Sequence, residues 1–186
     1  MIAIMETSWF RRIFSRAEKR APVDAQARAD SGDADAQFGL GLIFASREGG
    51  DYLKAAHWYQ KAANQNHALA QFNLGLMFAA GQGVVRDDAQ AVMWMQKAAR
   101  QGDAGAQHNL GMRQRRAGFE GLEKDALECR LEAYKWLRLA SAQGYRGSDA
   151  AFERTSLDMT REEVVEANHR TAAFTAGNPR STGTLS

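Results

Sequence analysis

The stretch "AQFNLGLMFAAGQGV" occupies residues 70–84, and a near-copy, "AQFGLGLIFA", occupies residues 36–45. A third echo, "AQHNLGM", sits at residues 106–112. Each copy carries a glycine in mid-frame: Gly41, Gly75 and Gly111, spaced 34 and 36 residues apart. A second frame alternates with the first: "KAAHWYQKAA" at 54–63, "QAVMWMQKAA" at 90–99 and "EAYKWLRLAS" at 132–141. Its tryptophans, Trp58, Trp94 and Trp136, are 36 and 42 residues apart. Trp58 to Gly75 and Trp94 to Gly111 are both 17 residues, so only the loop inside each unit varies in length. Self-similarity at a period in this range marks a repeat architecture.

Both frames have helical periodicity. Ala70, Leu74, Gly75 and Phe78 form one stripe, as do Ala91, Trp94, Ala98 and Ala99. "GQGV" at 81–84 supplies the turn between them. Asp51 and Asp87, each seven residues before its tryptophan, are placed to start the second helices, where a carboxylate accepts from free backbone N–H groups. Gly102 and Gly144 are placed to close them in the left-handed conformation, with Asn66 in the same slot after the first unit.

Each unit is therefore a helix–turn–helix pair. One pair cannot bury its apolar stripe alone, but stacked pairs can. A mid-helix glycine costs about 1 kcal/mol relative to alanine. It persists where a partner helix must approach closely. Gly41, Gly75 and Gly111 are expected to admit the bulk of Trp58, Trp94 and Trp136 or of their neighbours.

The pattern A-x-x-x-L-G-x-x-F…G-x-G-V…D-x-x-x-A-x-x-W-x-x-K-A-A-x-x-G, read at residues 70–102, resembles the Sel-one-like repeat (SLR) family of tetratricopeptide-like α-solenoids. A plain tetratricopeptide repeat has 34 residues, with a tryptophan early in its first helix and a proline near its end. Here the tryptophan is on the second helix, and no proline falls between Pro22 and Pro179. The resemblance covers residues 32–144. It implies an all-α fold, a right-handed α-solenoid, used mostly in bacteria as a protein-binding scaffold with no catalytic residues. It implies that the first helices line a concave groove. Carried over position by position, that groove is lined by Gln37 and Phe38, by Gln71, Asn73 and Met77, and by Gln107, His108 and Asn109. An alternative role for these residues is repeat consensus, with Gln and Asn bonding between helices.

The third unit departs from the pattern. Gln114 replaces the aromatic found at Phe44 and Phe78, within "RQRR" at 113–116. Arg113 and its neighbours form either a basic lip for an acidic partner or a solvated, dipole-matched helix end. Cys129 stands where the other units have aspartate, and the second helix is expected to start early, near Asp125.

The expected organisation is an N-terminal basic amphipathic segment (1–22), a solenoid (23–176) and a disordered tail (177–186). The solenoid divides into a half repeat (23–32), repeats 33–66, 67–102 and 103–144, and a degenerate cap (145–176) in which Glu153 takes the glycine position. Thr160 and Glu163 have capping-box spacing, so a further helix is expected there. Near the start, Trp9, Phe10, Ile13, Phe14 and Ala17 share one helical stripe, with Arg11, Arg12, Arg16, Lys19 and Arg20 mostly opposite. Such a segment either caps the solenoid or makes weak membrane-surface contact.

The chain has 186 residues, 45% hydrophobic and 25% charged, with net charge +2. This is an ordinary globular balance, and no specific nucleic-acid binding is expected from it. The single cysteine, Cys129, excludes an intramolecular disulfide. The opening apolar run is too short for a signal peptide, so a cytoplasmic, monomeric protein is expected. His57, His67, His108 and His169 lack the i, i+4 spacing of helical metal ligands, and "GQGV" lacks the downstream glycine and lysine of a phosphate loop. No catalytic residue, cofactor or metal is expected. The sequence points to a non-catalytic scaffold that holds a peptide or helix of another protein. The alternative is an adaptor tethered to a membrane or envelope surface through the N-terminal segment.

Overall fold

The computed structural model describes residues 21–46, 50–119 and 125–179. The N-terminal stripe from Trp9 to Arg20, most of the third unit's loop (120–124) and residues 180–186 lie outside the described residues. The helices are α1 (Ala21–Asp30), α2 (Ala34–Ser46), α3 (Tyr52–Asn64), α4 (Ala68–Ala80), α5 (Asp88–Arg100), α6 (Ala104–Phe119), α7 (Ala126–Ala142), α8 (Ser148–Leu157) and α9 (Arg161–Gly177). No strand occurs among the described residues. Pairs α2/α3, α4/α5 and α6/α7 pack as hairpins, and each second helix also packs on the first helix of the next pair. This chain of neighbour contacts makes an all-α solenoid.

Local chemistry sets the ends of the helices. Asp51 Oδ1 accepts from the Lys54 N–H at 3.1 Å, and Asp87 Oδ1 accepts from Ala89 and Gln90 at 2.9 Å. The second helices close on left-handed residues, with φ +67° at Asn66, +94° at Gly102 and +68° at Gly144. The first helices have their own caps, at Asp33, His67 and Asp103, which accept from the N–H three residues on at 3.0, 3.2 and 2.7 Å. A ring nitrogen does in the second unit what carboxylates do in the others.

The mid-helix glycines are contact points between the two helices of a hairpin. A Cβ at Gly41 would sit 2.4 Å from Tyr59 Cδ1, and one at Gly111 would sit 2.6 Å from Leu137 Cγ. At Gly75 it would meet Met95 Cγ at 2.9 Å and the Ala91 carbonyl at 3.1 Å. The side chain admitted is thus the residue after each tryptophan. The tryptophans serve the junctions between units. Trp58 clusters with Ala29 and Leu40, Trp94 with Ala55, Ala62 and Leu74, and Trp136 with Met95, Ala98 and Ala99.

The C-terminal end closes the stack in two steps. Helix α8 takes the place of a fourth first helix, with Glu153 exposed at the glycine position. Helix α9 starts at a capping box: the Glu163 N–H donates to Thr160 Oγ1 at 3.2 Å, and the Thr160 N–H donates to Glu163 Oε2 at 2.9 Å. It then folds back along α7. Arg130 pairs with Glu163 at 2.5 Å, Arg170 with Glu128 at 2.6 Å, and the Tyr134 hydroxyl donates to Asn168 at 3.0 Å. The end of α9 reaches the second unit. Phe174 packs edge-on against Trp136, and Asn178 Nδ2 donates to the Arg100 carbonyl at 2.6 Å. The described chain therefore continues past Gly177, where the sequence suggests that the tail begins, and is anchored there by Asn178.

Candidate functional site: the face of the first helices

Helices α2, α4 and α6 turn their glycine side toward the second helices. The opposite side carries Asp35, Gly39, Leu42 and Ser46 in the first unit, Leu69, Asn73, Leu76 and Ala80 in the second, and Asn109, Met112 and Arg116 in the third; Gly105, at the position of Asp35 and Leu69, is buried under the Phe72 ring, and Leu42 and Leu76 are half-buried against the core. The positions recur at i, i+4, i+7 and i+11, which is one helical face. A Cβ added at Gly39 would meet nothing within 4 Å, so this side is open in the first unit. Leu69 is 46% exposed and Met112 41%.

The glutamines belong to a different structure. Gln37, Gln71 and Gln107 are buried, at 4%, 1% and 0% exposure. Each donates its side-chain amide to a carbonyl in the last turn of the preceding second helix: Ala29 at 3.0 Å, Ala63 at 3.1 Å and Ala99 at 3.1 Å. Each then accepts on Oε1 from the glutamine that ends its own second helix: Gln65 at 2.7 Å, Gln101 at 2.7 Å and Gln143 at 2.8 Å. One side chain thus joins three helices at every junction. The ladder stops at α8, where Asp149 accepts instead from the Ser141 hydroxyl at 2.5 Å.

The nine residues singled out from the sequence therefore fall into three groups. Gln37, Gln71 and Gln107, with Met77 at 5% exposure, lie inside the stack with their polar atoms or surface already used. This placement corrects the expectation that they line a groove. Phe38 and His108 are half-buried links between neighbouring first helices. Phe38 stacks on His67 at 4.6 Å, and His108 packs on Tyr145 and hydrogen-bonds to the Ser148 hydroxyl at 2.8 Å. Phe72 holds the same position in the second unit, with its ring against Gly105. Asn73, Asn109 and Arg113 remain on the surface. The two asparagines donate Nδ2–H to the Leu69 and Gly105 carbonyls, at 2.8 and 2.9 Å. Sequence reasoning missed the exposed Leu69 and Met112, although the repeat register places them in columns that change from unit to unit.

The basic run splits. Arg115 turns inward to Asp158 at 2.5 Å and lies near the Phe119 ring, whereas Arg113 is exposed. No group of three or more His, Cys, Asp or Glu side chains among the described residues is placed to hold a metal ion. Ser148, which His108 contacts, is fully buried, beyond the reach of a substrate. No helix among the described residues is long and apolar enough to cross a membrane.

Burial around the junction of α6 and α8 shifts two groups in opposite directions. It lowers the His108 imidazole below its ordinary 6.5 and raises the Asp103 carboxyl, against the pull of the Ala106 and Gly105 N–H groups. With the folded-state value of His108 below the unfolded one, the unfolded chain binds more protons as pH falls through about 6.5. Stability should therefore decline on acidification from pH 7.5 toward pH 5.5. Asp103, whose carboxyl is raised by burial, acts with the opposite sign and so works against this decline. His108→Phe, which copies the Phe38 and Phe72 positions, should flatten the decline. Thermal melts across this pH range check it, and an unchanged slope in the variant would remove His108 as the cause.

The comparisons with known proteins agree with this architecture. The family model for the Sel1 repeat matches residues 34–67, 68–103 and 104–145. A similar solved structure is that of c5321, a protective antigen present in uropathogenic Escherichia coli strains and displaying an SLR fold. It is 30% identical, with a TM-score of 0.71, over 87% of this chain and 34% of that one. The chain thus spans about a third of the length of the antigen. A second is a Sel1 repeat protein from Oxalobacter formigenes, 31% identical, with a TM-score of 0.59, over 73% of this chain and 98% of that one. No curated protein matches the chain. Three matched units in register, each closed on the same glycine contact and joined by the same glutamine, establish that the chain belongs to the Sel1 repeat family.

Proposed function

We propose that this chain is a protein-interaction scaffold that holds a peptide or helix of another protein along the free face of its first helices. The observation that carries the reading is the exposure of Leu69 and Met112 on the side of α4 and α6 turned away from the second helices, beside Asn73 and Asn109. Apolar surface of this kind, flanked by polar side chains, suits peptide recognition. The Sel1 repeats support the same reading.

Leu69→Glu combined with Met112→Glu places two charges on the proposed contact surface. Both side chains are substantially solvated, so the fold should be kept. In affinity capture from the native host, proteins retained by the wild type should be lost by this variant, with unchanged circular dichroism melts. Equal retention by both would show that binding, if any, is elsewhere.

A further inference from the structure

We propose that residues 1–20, which lie outside the described residues, return over the starting edge of the second helices and cover Leu53 and Val85 with the apolar stripe of Trp9, Phe10, Ile13 and Phe14. The seat belongs to the described fold, and its occupant is the stretch of chain that leads directly into α1.

Leu53 and Val85 are among the most exposed large apolar side chains of the described residues, at 74% and 88%. They adjoin through the turn of the second unit. A Cβ at Gly83 would collide with the Tyr52 carbonyl and come within 2.9 Å of the Leu53 amide nitrogen, so this turn lies on the first residues of α3. Val84 packs into the core beside Tyr52, and Val85, its neighbour, turns out. The third unit has the same position covered. Leu53 stands five residues before Trp58, and Leu131 five before Trp136. Leu131 is 3% exposed, in one cluster with Met159, Val164 and Ala167 from the chain that returns as α9. The second unit has Ala89 there, whose methyl group leaves little to cover. Leu53 is thus the large apolar member of this column that no described segment covers.

Reach and charge both select residues 1–20. Helix α1 is the second helix of an incomplete unit: the Asp33 N–H donates to the Arg28 carbonyl as the His67 N–H does to Ala62, and Gly32 is left-handed as Asn66 is. That register places Ala21 level with Ala55 on α3. Helices α1 and α3 run the same way and meet where Ala29 clusters with Trp58. The chain before Ala21 therefore leaves the stack at the edge that carries Leu53, about one helix spacing, 8–10 Å, away. The seven residues from Phe14 to Ala21 span up to about 23 Å when extended, more than this gap. Residues 1–20 hold five cations, Arg11, Arg12, Arg16, Lys19 and Arg20, against Glu6 and Glu18. Among the described residues, the starts of α1, α3 and α5 present Asp24, Asp51, Asp87 and Asp88 against Lys54 and Arg86. Lys54 and Arg86 are engaged with Asp51 and Asp88 at 2.8 and 3.3 Å, which leaves the charge of Asp24 and Asp87 on the rim. A basic segment with an apolar stripe thus meets an acidic rim around an apolar seat.

The test places p-benzoylphenylalanine at position 53 of the full chain, irradiates it and locates the crosslinks by mass spectrometry. Crosslinks within one chain to residues 9–14 are expected. Crosslinks that avoid residues 1–20 overturn the proposal. Crosslinks only between chains overturn it too, by making the occupant a second copy. A mutant cycle gives an independent readout. Trp9→Ser/Phe10→Ser and Leu53→Ser/Val85→Ser should each lower the melting temperature by about 3–6 °C, and the quadruple variant by little more than either pair. Additive shifts, or no shift from the Trp9 and Phe10 pair, count against the contact and overturn it. Flotation of the full chain with vesicles of phosphatidylcholine and phosphatidylglycerol, dependent on Trp9 and Phe10 and accompanied by loss of the crosslink at position 53, would assign the segment to a membrane surface instead.

Discussion

Gly75→Leu should lower the melting temperature by roughly 10 °C or more, whereas Gly81→Ala should lower it by only a few degrees. The difference lies in what each side chain meets. At Gly75 even a methyl group would press on Met95 Cγ at 2.9 Å, on the Ala91 carbonyl at 3.1 Å and on the Met95 amide nitrogen at 3.3 Å. Two of these atoms are backbone, so the helix must move rather than a side chain. Leucine adds three more carbons to the same gap. Overpacking of this kind costs about 1–3 kcal/mol and more when backbone is displaced. Separation of α4 from α5 would also expose Leu74 and Met95, which are 1% and 7% exposed in the fold. The helix-propensity gain of about 1 kcal/mol offsets only part of this. A net loss of about 3 kcal/mol or more corresponds to the stated shift for a chain of this size. Gly81, by contrast, ends α4 at φ +68°, and a methyl group there would sit 3.3 Å from Arg86 Cβ. Its replacement incurs mainly the left-handed penalty of about 1–2 kcal/mol. Circular dichroism melts of the two variants decide the point, and equal melting temperatures would refute the packing account.

Gln71→Leu should cost about 2 kcal/mol, although it places an apolar side chain of similar size in a fully buried site. The wild-type amide donates to the Ala63 carbonyl and to Asn66 Oδ1, each at 3.1 Å, and accepts from Gln101 at 2.7 Å. Net hydrogen bonds of this type are worth about 0.5–1.5 kcal/mol each, and more when a partner is stranded. The Ala63 carbonyl keeps the Asn66 N–H at 3.0 Å, and Gln101 can turn to water, which limits the loss. In the double variant Gln71→Leu/Gln101→Leu the two effects should add to less than their sum, since both remove one shared bond. Urea unfolding of the single and double variants measures the coupling. Strict additivity would mean that the ladder does not act as a unit.

Much of the fold was legible in the sequence because its signals are local. The starts at Asp51, Asp87 and Thr160 and the ends at Asn66, Gly102 and Gly144 are set by side chains within a turn of the break. The mid-frame glycines announced close contact, though not the partner, because Trp58 and Tyr59 are adjacent in sequence and point to different neighbours. The surface was harder to read, for a reason that the glutamines illustrate. Gln37, Gln71 and Gln107 are polar, repeated and on the first helix, which suits a binding groove as well as a buried ladder. What separates the two is the preceding second helix, whose carbonyls a single helix pattern does not contain. Positions that stay the same in every unit hold the stack together. The cap at His67 escaped notice because imidazole is an uncommon helix start, and the backward path of α9 depends on ion pairs such as Arg130–Glu163 between segments distant in sequence.

That path has a mechanical consequence. By holding Trp136 through Phe174 and Arg100 through Asn178, α9 bridges the second helices of the second and third units. Two hairpins joined only at their interface can rock, but a tie across their second helices fixes the angle between them. The junction between the first and second units has no such tie among the described residues. Flexing of the array is therefore concentrated there, and the stiff end is the one that carries Met112 and Arg113. A surface already held in shape gives up little conformational entropy when something binds to it.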